Sequence, residues 1–209
     1  MIEQILHGVV ALFVIIDPVG SAAIFAALMR GAPEPFRRRM AWRGTLVAGL
    51  LILAFAFVGA PLLGALGITL PAFRVAGGVL LFLLAVDMVF ARPSGIRNPT
   101  AREEEEAEHR ADISVFPLAF PLLAGPGALT SIVLLMARAR SPLDAAGIIL
   151  ALVIVMAAAL ALLLSASHVV RLLGVTGTNV VGRVLGIVLA ALAAQYVLDG
   201  IAQVLMPLR

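Results

Sequence analysis

The chain has 209 residues, is 62% hydrophobic and has a mean hydropathy of +1.12. Soluble domains sit nearer half apolar, so the composition excludes an ordinary soluble domain and defines a polytopic integral membrane protein. In that setting the net charge of +3 gives no reason to expect a nucleic-acid partner. The absence of cysteine excludes disulfides, thiolate metal sites and thiol redox chemistry.

The N-terminus, Met1-Ile2-Glu3-Gln4, lacks the basic region of a signal peptide, so the first apolar segment is expected to be kept. A span needs about 20 apolar residues to cross hydrocarbon. Six segments qualify: 2–29, 42–66, 70–90, 114–138, 144–170 and 178–206. The first is interrupted by Asp17-Pro18-Val19-Gly20. Proline lacks the N–H that a helix needs, and glycine lets the backbone turn. The segment therefore reads as two half-helices joined by an unwound stretch. Asp17 is an N-cap residue type and Pro18 suits the first helical position, so a half-helix over 19–29 starts at mid-membrane.

Trp42 beside Arg43 fits an aromatic anchor at the headgroups. In the third span Arg74, and in the sixth Arg183, are expected to snorkel to the interface, the alternative being a pair with an inward acid such as Asp87 or Asp199. Residues 91–112 hold Pro93, Ser94, Gly95, Asn98, Pro99 and an acidic run at 103–106, and divide the chain. The fourth span breaks at Ala124-Gly125-Pro126-Gly127, with Thr130 and Ser131 one turn further on. Gly77, Gly78, Gly182 and Gly186 suit close helix packing in lipid. Thr176, Thr178 and Asn179 are read as caps at the start of the sixth span, and Gln195 as half of an interhelical hydrogen bond. His7 and His168 have no neighbours spaced as metal ligands.

The two halves resemble each other. At a shift of 108, Pro18 meets Pro126, Ile24 meets Ile132 and Arg30 meets Arg138. At 109, Arg74, Val75, Gly77, Val79, Leu80, Leu83 and Ala85 meet Arg183, Val184, Gly186, Val188, Leu189, Leu192 and Ala194. A repeat of three spans, an odd number, places the halves in opposite orientations. The expected fold is thus an all-α membrane protein of six transmembrane helices, a 3+3 inverted repeat with helices 1 and 4 broken. The first repeat covers 1–90, a cytoplasmic loop 91–112, and the inverted second repeat 113–209.

Arginine sets the orientation. Ten lie in the loops after spans one, three and five, and three on the opposite side (Arg138, Arg140 and Arg209). The ten are placed inside, so both termini face outward.

Paired breaks in inverted halves mark a substrate site near the bilayer midplane. The free N–H groups and positive dipole ends of the two half-helices make an anion site, and a carboxylate suits it. The candidate site residues are Asp17, Pro18, Val19, Gly20, Ser21, Gly125, Pro126, Gly127, Ala128, Thr130 and Ser131. Asp17 either caps its half-helix alone or also receives an ammonium group, a proton or a sodium ion. The small residues leave little room for a bulky side chain.

The Asp17-Pro18-Val19-Gly20 break and the run from Pro117 to Ala128, followed by Leu129-Thr130, resemble the MarC family of bacterial inner-membrane proteins. The likeness extends over nearly the whole chain. Here Ser21-Ala22-Ala23 follows the first break, where relatives often carry a proline. The resemblance implies a bacterial inner-membrane location and kinship with amino-acid exporters of the lysine-exporter type. It also implies small neutral amino acids such as glycine or alanine as substrates.

The expected function is a secondary transporter of a small zwitterion. Its partners would be that solute and the lipid bilayer, with no nucleic acid, and a homo-oligomer is allowed. No cofactor or metal is expected beyond a coupling H+ or Na+. No Ser/His/Asp, metal-ligand or phosphate-loop arrangement supports an enzyme. The alternatives are a non-transporting scaffold or regulator docking through 91–112, and a passive channel.

Overall fold

The computed structural model describes residues 2–91 and 112–205, and all secondary structure among them is helical. The expected loop 91–112, with its acidic run, lies outside the described residues except at its ends. The elements are α1 (Ile2–Ile16), α2 (Pro18–Leu28), α3 (Glu34–Ala65), α4 (Leu70–Phe90), α5 (Ser114–Leu123), α6 (Pro126–Ala137), α7 (Pro142–Leu164) and α8 (Ala166–Leu205). α5 is a wide-turned segment rather than a regular α-helix. Phe116 (φ −130°, ψ 128°) and Phe120 (φ −129°, ψ 129°) are extended within it, each followed by a cis proline.

Five helical stretches are long and apolar enough to cross a membrane: Ile5–Leu28, Glu34–Ala65, Leu70–Phe90, Pro142–Leu164 and Thr176–Leu205. α5 and α6, bent by 58° at their junction, make a sixth if the pair is one span. The pair follows α3 without turning back. Gly44 of α3 lies against Ser114 and Leu118, and Gly59 lies against Val133. Those two glycines are separated by about 22 Å of helix.

Boundaries differ from expectation where a helix outruns the bilayer. α3 begins at Glu34, not at 42. Pro35 suits a first turn, Glu34 favours the positive helix end, and the arginines 37–39 are good helix formers. Hydropathy marks where the helix enters lipid, not where it starts. α7 stops at Leu164, with Ser165 as its C-cap. Residues 166–173 then belong to α8, which breaks at Gly174 (φ 63°) before the apolar stretch from Thr176.

The interrupted elements occupy the centre. Phe25, Leu12, Ile16, Leu118, Leu123 and Ile132 are among the largest fully buried side chains. The α1–α2 span is the most buried candidate at 56%, against 28% for α3. The outer helices expose Leu50, Phe57, Phe82, Leu150 and Leu198, a surface that suits lipid and not water.

Helix directions follow from close approaches at glycine. Along α4, Val75 meets Gly200, Gly78 meets Val197, and Met88 and Val89 meet Gly186 of α8. Positions rise on one helix as they fall on the other, so α4 and α8 are antiparallel, and they form the most extensive helix pair. Ile5 meets Gly147 and Gly8 meets Ala151, so α1 runs parallel to α7. α1 packs on α7 as α5 packs on α3, and α2 packs on α7 and α8 as α6 packs on α3 and α4. Gly77, Gly78 and Gly186 are close-approach sites as expected. Gly182 has nothing within 4 Å and is not one.

Candidate functional site at the two breaks

The first break is confined to one residue. Asp17 adopts the left-handed region (φ 44°, ψ 71°), which aspartate tolerates better than most side chains. Its amide still donates to Phe13 O at 2.9 Å, and Ser21 N donates to Asp17 O at 3.0 Å. Gly20 N donates to Asp17 Oδ1 at 3.0 Å, so the carboxylate caps α2. The Ser21 hydroxyl donates to Ile16 O at 3.2 Å, where a continuous helix would have used Gly20 N. Side chains thus replace what the backbone loses at the break, at a depth where an unmet polar group is costly. The expected unwound stretch shrinks accordingly: Pro18, Val19 and Gly20 already lie within α2.

The second break is wider. Gly125 precedes α6 in an extended conformation and offers no side-chain cap. The first ladder bond runs from Leu129 N to Gly125 O at 3.1 Å, so the amides of Gly127 and Ala128 have no carbonyl within the helix. A small cavity of about 20 Å³ lies against them, lined by Gly125, Pro126, Gly127 and Ala128, with Pro121 of α5, Ile15 of α1 and Leu80 and Leu84 of α4 among the other walls. That volume holds about one water molecule.

Ile15 joins the breaks. It lines the cavity two residues before Asp17, and a side chain on Gly127 would come within 3.6 Å of Ile15 Cγ2. Of the candidate residues, Gly125, Pro126, Gly127 and Ala128 share this cavity. Asp17, Pro18, Val19, Gly20 and Ser21 are on the adjoining break without lining it; Asp17 and Ser21 are buried. Thr130 and Ser131 lie further along α6, also buried. Thr130 packs directly on Gly77 of α4.

Ser131 neighbours Tyr196 of α8, which neighbours Arg74, Arg138 and Asp199 in turn. Tyr196, the only tyrosine of the chain, is buried, and its part in this polar column was not apparent from sequence. Its position at the inner face of α8, among apolar residues, is the one signal that could have found it. Arg74 departs from expectation: it is 5% exposed, while its sequence counterpart Arg183 is exposed and suited to snorkelling. Gln195 also departs, since it donates to Asp199 Oδ1 within its own helix at 2.6 Å. Thr178 does not cap by accepting; its hydroxyl donates to Gly174 O at 2.8 Å. Among the described residues no group of three His, Cys, Asp or Glu side chains is placed to hold a metal ion.

On one rim of the protein, Arg43 pairs with Asp112 at 3.1 Å, and Asp112 Oδ1 accepts from Ser114 N at 2.8 Å and Ser114 Oγ at 2.5 Å. The Ser114 bonds, with a smaller contribution from Arg43, hold the Asp112 carboxyl below its ordinary value.

An all-helical bundle with apolar outer faces and two interrupted segments at its centre defines a polytopic membrane protein with its polar chemistry held inside. The MarC family integral membrane protein model matches residues 2–205, and the chain belongs to that family. Similar relatives include a UPF0056 membrane protein of Archaeoglobus fulgidus, 35% identical over 93% of this chain and 91% of its own length. The UPF0056 inner membrane protein YhgN of Escherichia coli is 33% identical over 95% of this chain and 96% of its own. No solved structure matches the chain significantly.

Proposed function

We propose that this protein is a secondary transporter of a small zwitterion, a small neutral amino acid, and that its six spans form a 3+3 inverted repeat. The observation that carries the proposal is the shared cavity: the uncapped start of α6 faces it, and Ile15 brings the first break to its wall. Free amides at the start of α6 favour a carboxylate. Asp17, buried on the adjoining break, is the acceptor for an ammonium group or a coupling cation, H+ or Na+. Thr130 and Ser131 supply hydrogen bonds on the way out.

The repeat is supported by the antiparallel α4 and α8, and by the exchange of packing partners between halves. Under the 109 shift Gly78 and Val197 exchange with residues 187 and 88, and Gly186 does lie against Met88. The run of α5–α6 along α3 favours counting that pair as one span. The arginine distribution favours an inner membrane protein, as the Escherichia coli relative is named, with both termini outside. Solute and lipid are its partners in this proposal, and no covalent chemistry is assigned to it.

A cavity with room for one water favours a carrier that has closed on itself over a passive channel. Loading an amino acid requires the α5–α6 elbow or the α1–α2 kink to move. The test is alanine or glycine counterflow in proteoliposomes, with wild type, Asp17→Asn and Gly127→Val. Saturable counterflow that both substitutions reduce supports the proposal. Counterflow unchanged by either removes this site, and non-saturable flux favours a channel.

A further inference from the structure

Where α6 ends, a separate and much larger cavity of about 630 Å³ opens between α4, α6 and α8. Arg74, Arg138, Arg140 and Gln203 line it, with Leu70 and Ala137 in its wall, and among the described residues no carboxylate lines it. Three guanidinium groups therefore share one space.

Two of the three have ordinary structural reasons to be there. Arg138 is the C-cap of α6, the right end for a cation, and its Nη2 donates to Asp199 Oδ2 at 2.9 Å. Arg140 is exposed, and its backbone N–H donates to Asp144 Oδ2 at 3.1 Å. Arg74 has no such reason. It sits about one turn inside α4, near the helix end that disfavours cations. It is 5% exposed, Nε is buried without a partner, and it forms no ion pair among the described residues. Its charged neighbours are Arg138, which repels it, and Asp199. Both Asp199 oxygens are already engaged, Oδ2 by Arg138 and Oδ1 by Gln195. A buried guanidinium without a counter-ion is costly, and its planar donors match an oxyanion.

We propose that this cavity binds an oxyanion, a carboxylate or phosphate group, with Arg74 as the deep ligand and Arg140 at the mouth. The group reaches it either on a soluble solute or on an anionic lipid headgroup. Arg183, the sequence counterpart of Arg74, is exposed and serves as the internal control. The proposal concerns binding alone and stands whether or not the protein transports an amino acid.

The test uses the full-length protein in two arms. In phosphatidylcholine nanodiscs, thermal stability is followed during titration with inorganic phosphate at constant ionic strength. In mixed phosphatidylcholine and phosphatidylglycerol, retained lipid is counted by native mass spectrometry. Saturable binding in either arm supports the site, and the arm that responds identifies the source. Arg74→Gln should weaken that binding about tenfold or more, as loss of a charge-assisted hydrogen bond does. Arg140→Gln should weaken it about two- to fivefold, as for an exposed charge, and Arg183→Gln should leave it unchanged. No saturable binding in either arm overturns the proposal, as does wild-type binding in both Arg74→Gln and Arg140→Gln. If Arg74→Gln does not fold, Arg140→Gln decides alone, because that side chain is exposed.

Discussion

The carboxylate of Asp17 occupies the space that a side chain on Gly20 would fill: Gly20 N donates to Asp17 Oδ1 at 3.0 Å, and a Cβ there would collide with Asp17 Oδ2. Gly20 is thus small for the sake of the carboxylate that folds over it. The kink, the cap and the glycine form one unit.

That unit gives a change of sign. Gly20→Ala should cost about 1–3 kcal/mol in wild type through overpacking. In an Asp17→Ala background the same change should be neutral or stabilising by up to about 1 kcal/mol, because alanine is the better helix former. Unfolding of the four proteins in detergent measures the coupling. Simple additivity would mean that the carboxylate does not hold this position.

Gly127 is enclosed in a similar way on the second break. A Cβ there would lie 2.5 Å from Leu81 Cδ2, and Leu81 is fully buried. Gly127→Ala should lower stability by about 1–3 kcal/mol. Leu81→Ala alone should cost about 2–5 kcal/mol. Combined, they should cost less than their sum, as the methyl moves into the vacated space. A thermal melt of each variant checks the ordering.

Since the natural chain has no cysteine, helix direction can be read by crosslinking. Gly78→Cys with Val197→Cys should form a disulfide readily on mild oxidation, because a Cβ at 78 lies 2.8 Å from Val197 Cγ2. Gly78→Cys with Gly186→Cys should not, because Gly186 faces residues 88 and 89, about 15 Å further along α4. The opposite pattern would refute an antiparallel pair and with it the inverted repeat.

At the rim, the order of causes predicts the order of effects. Asp112 has its carboxyl held below the ordinary value chiefly by Ser114, with Arg43 contributing less. Ser114→Ala should raise its pKa more than Arg43→Gln does, as followed by carbon NMR of labelled aspartate in micelles. A carboxylate whose pKa falls on folding adds stability above its unfolded value, near 3.9. That contribution is lost as pH drops through the lower folded value. Both partners of the Arg43–Asp112 pair are nearly half exposed, so removing it should cost less than about 1 kcal/mol.

Much of the architecture was legible because it depends on local chemistry. Leucine, valine and alanine runs marked where the chain enters lipid, and Pro18 and Pro126 marked where helices restart. The reach of α3 to Glu34 was not legible, since a helix continues past the hydrocarbon without any apolar signal. Nor was the difference in width between the breaks. A carboxylate and a hydroxyl repair the first, while Gly125 offers nothing to repair the second.

Arg74 and Arg183 separate the two kinds of knowledge most sharply. They stand at matching positions of the two halves in similar local sequence, so the residues around them assign both to helices and to similar depths. One is buried in a cavity beside Arg138 and Tyr196, and the other is exposed. Sequence determined the membrane class, the apolar segments and the places where they are interrupted, because backbone hydrogen bonding and hydrophobicity act over neighbouring residues. Only the tertiary structure decided that Ile15 of α1 meets the cavity at the second break and that Arg74 is buried without an ion pair among the described residues. Those outcomes depend on which face of each helix meets another, across separations that no local pattern encodes.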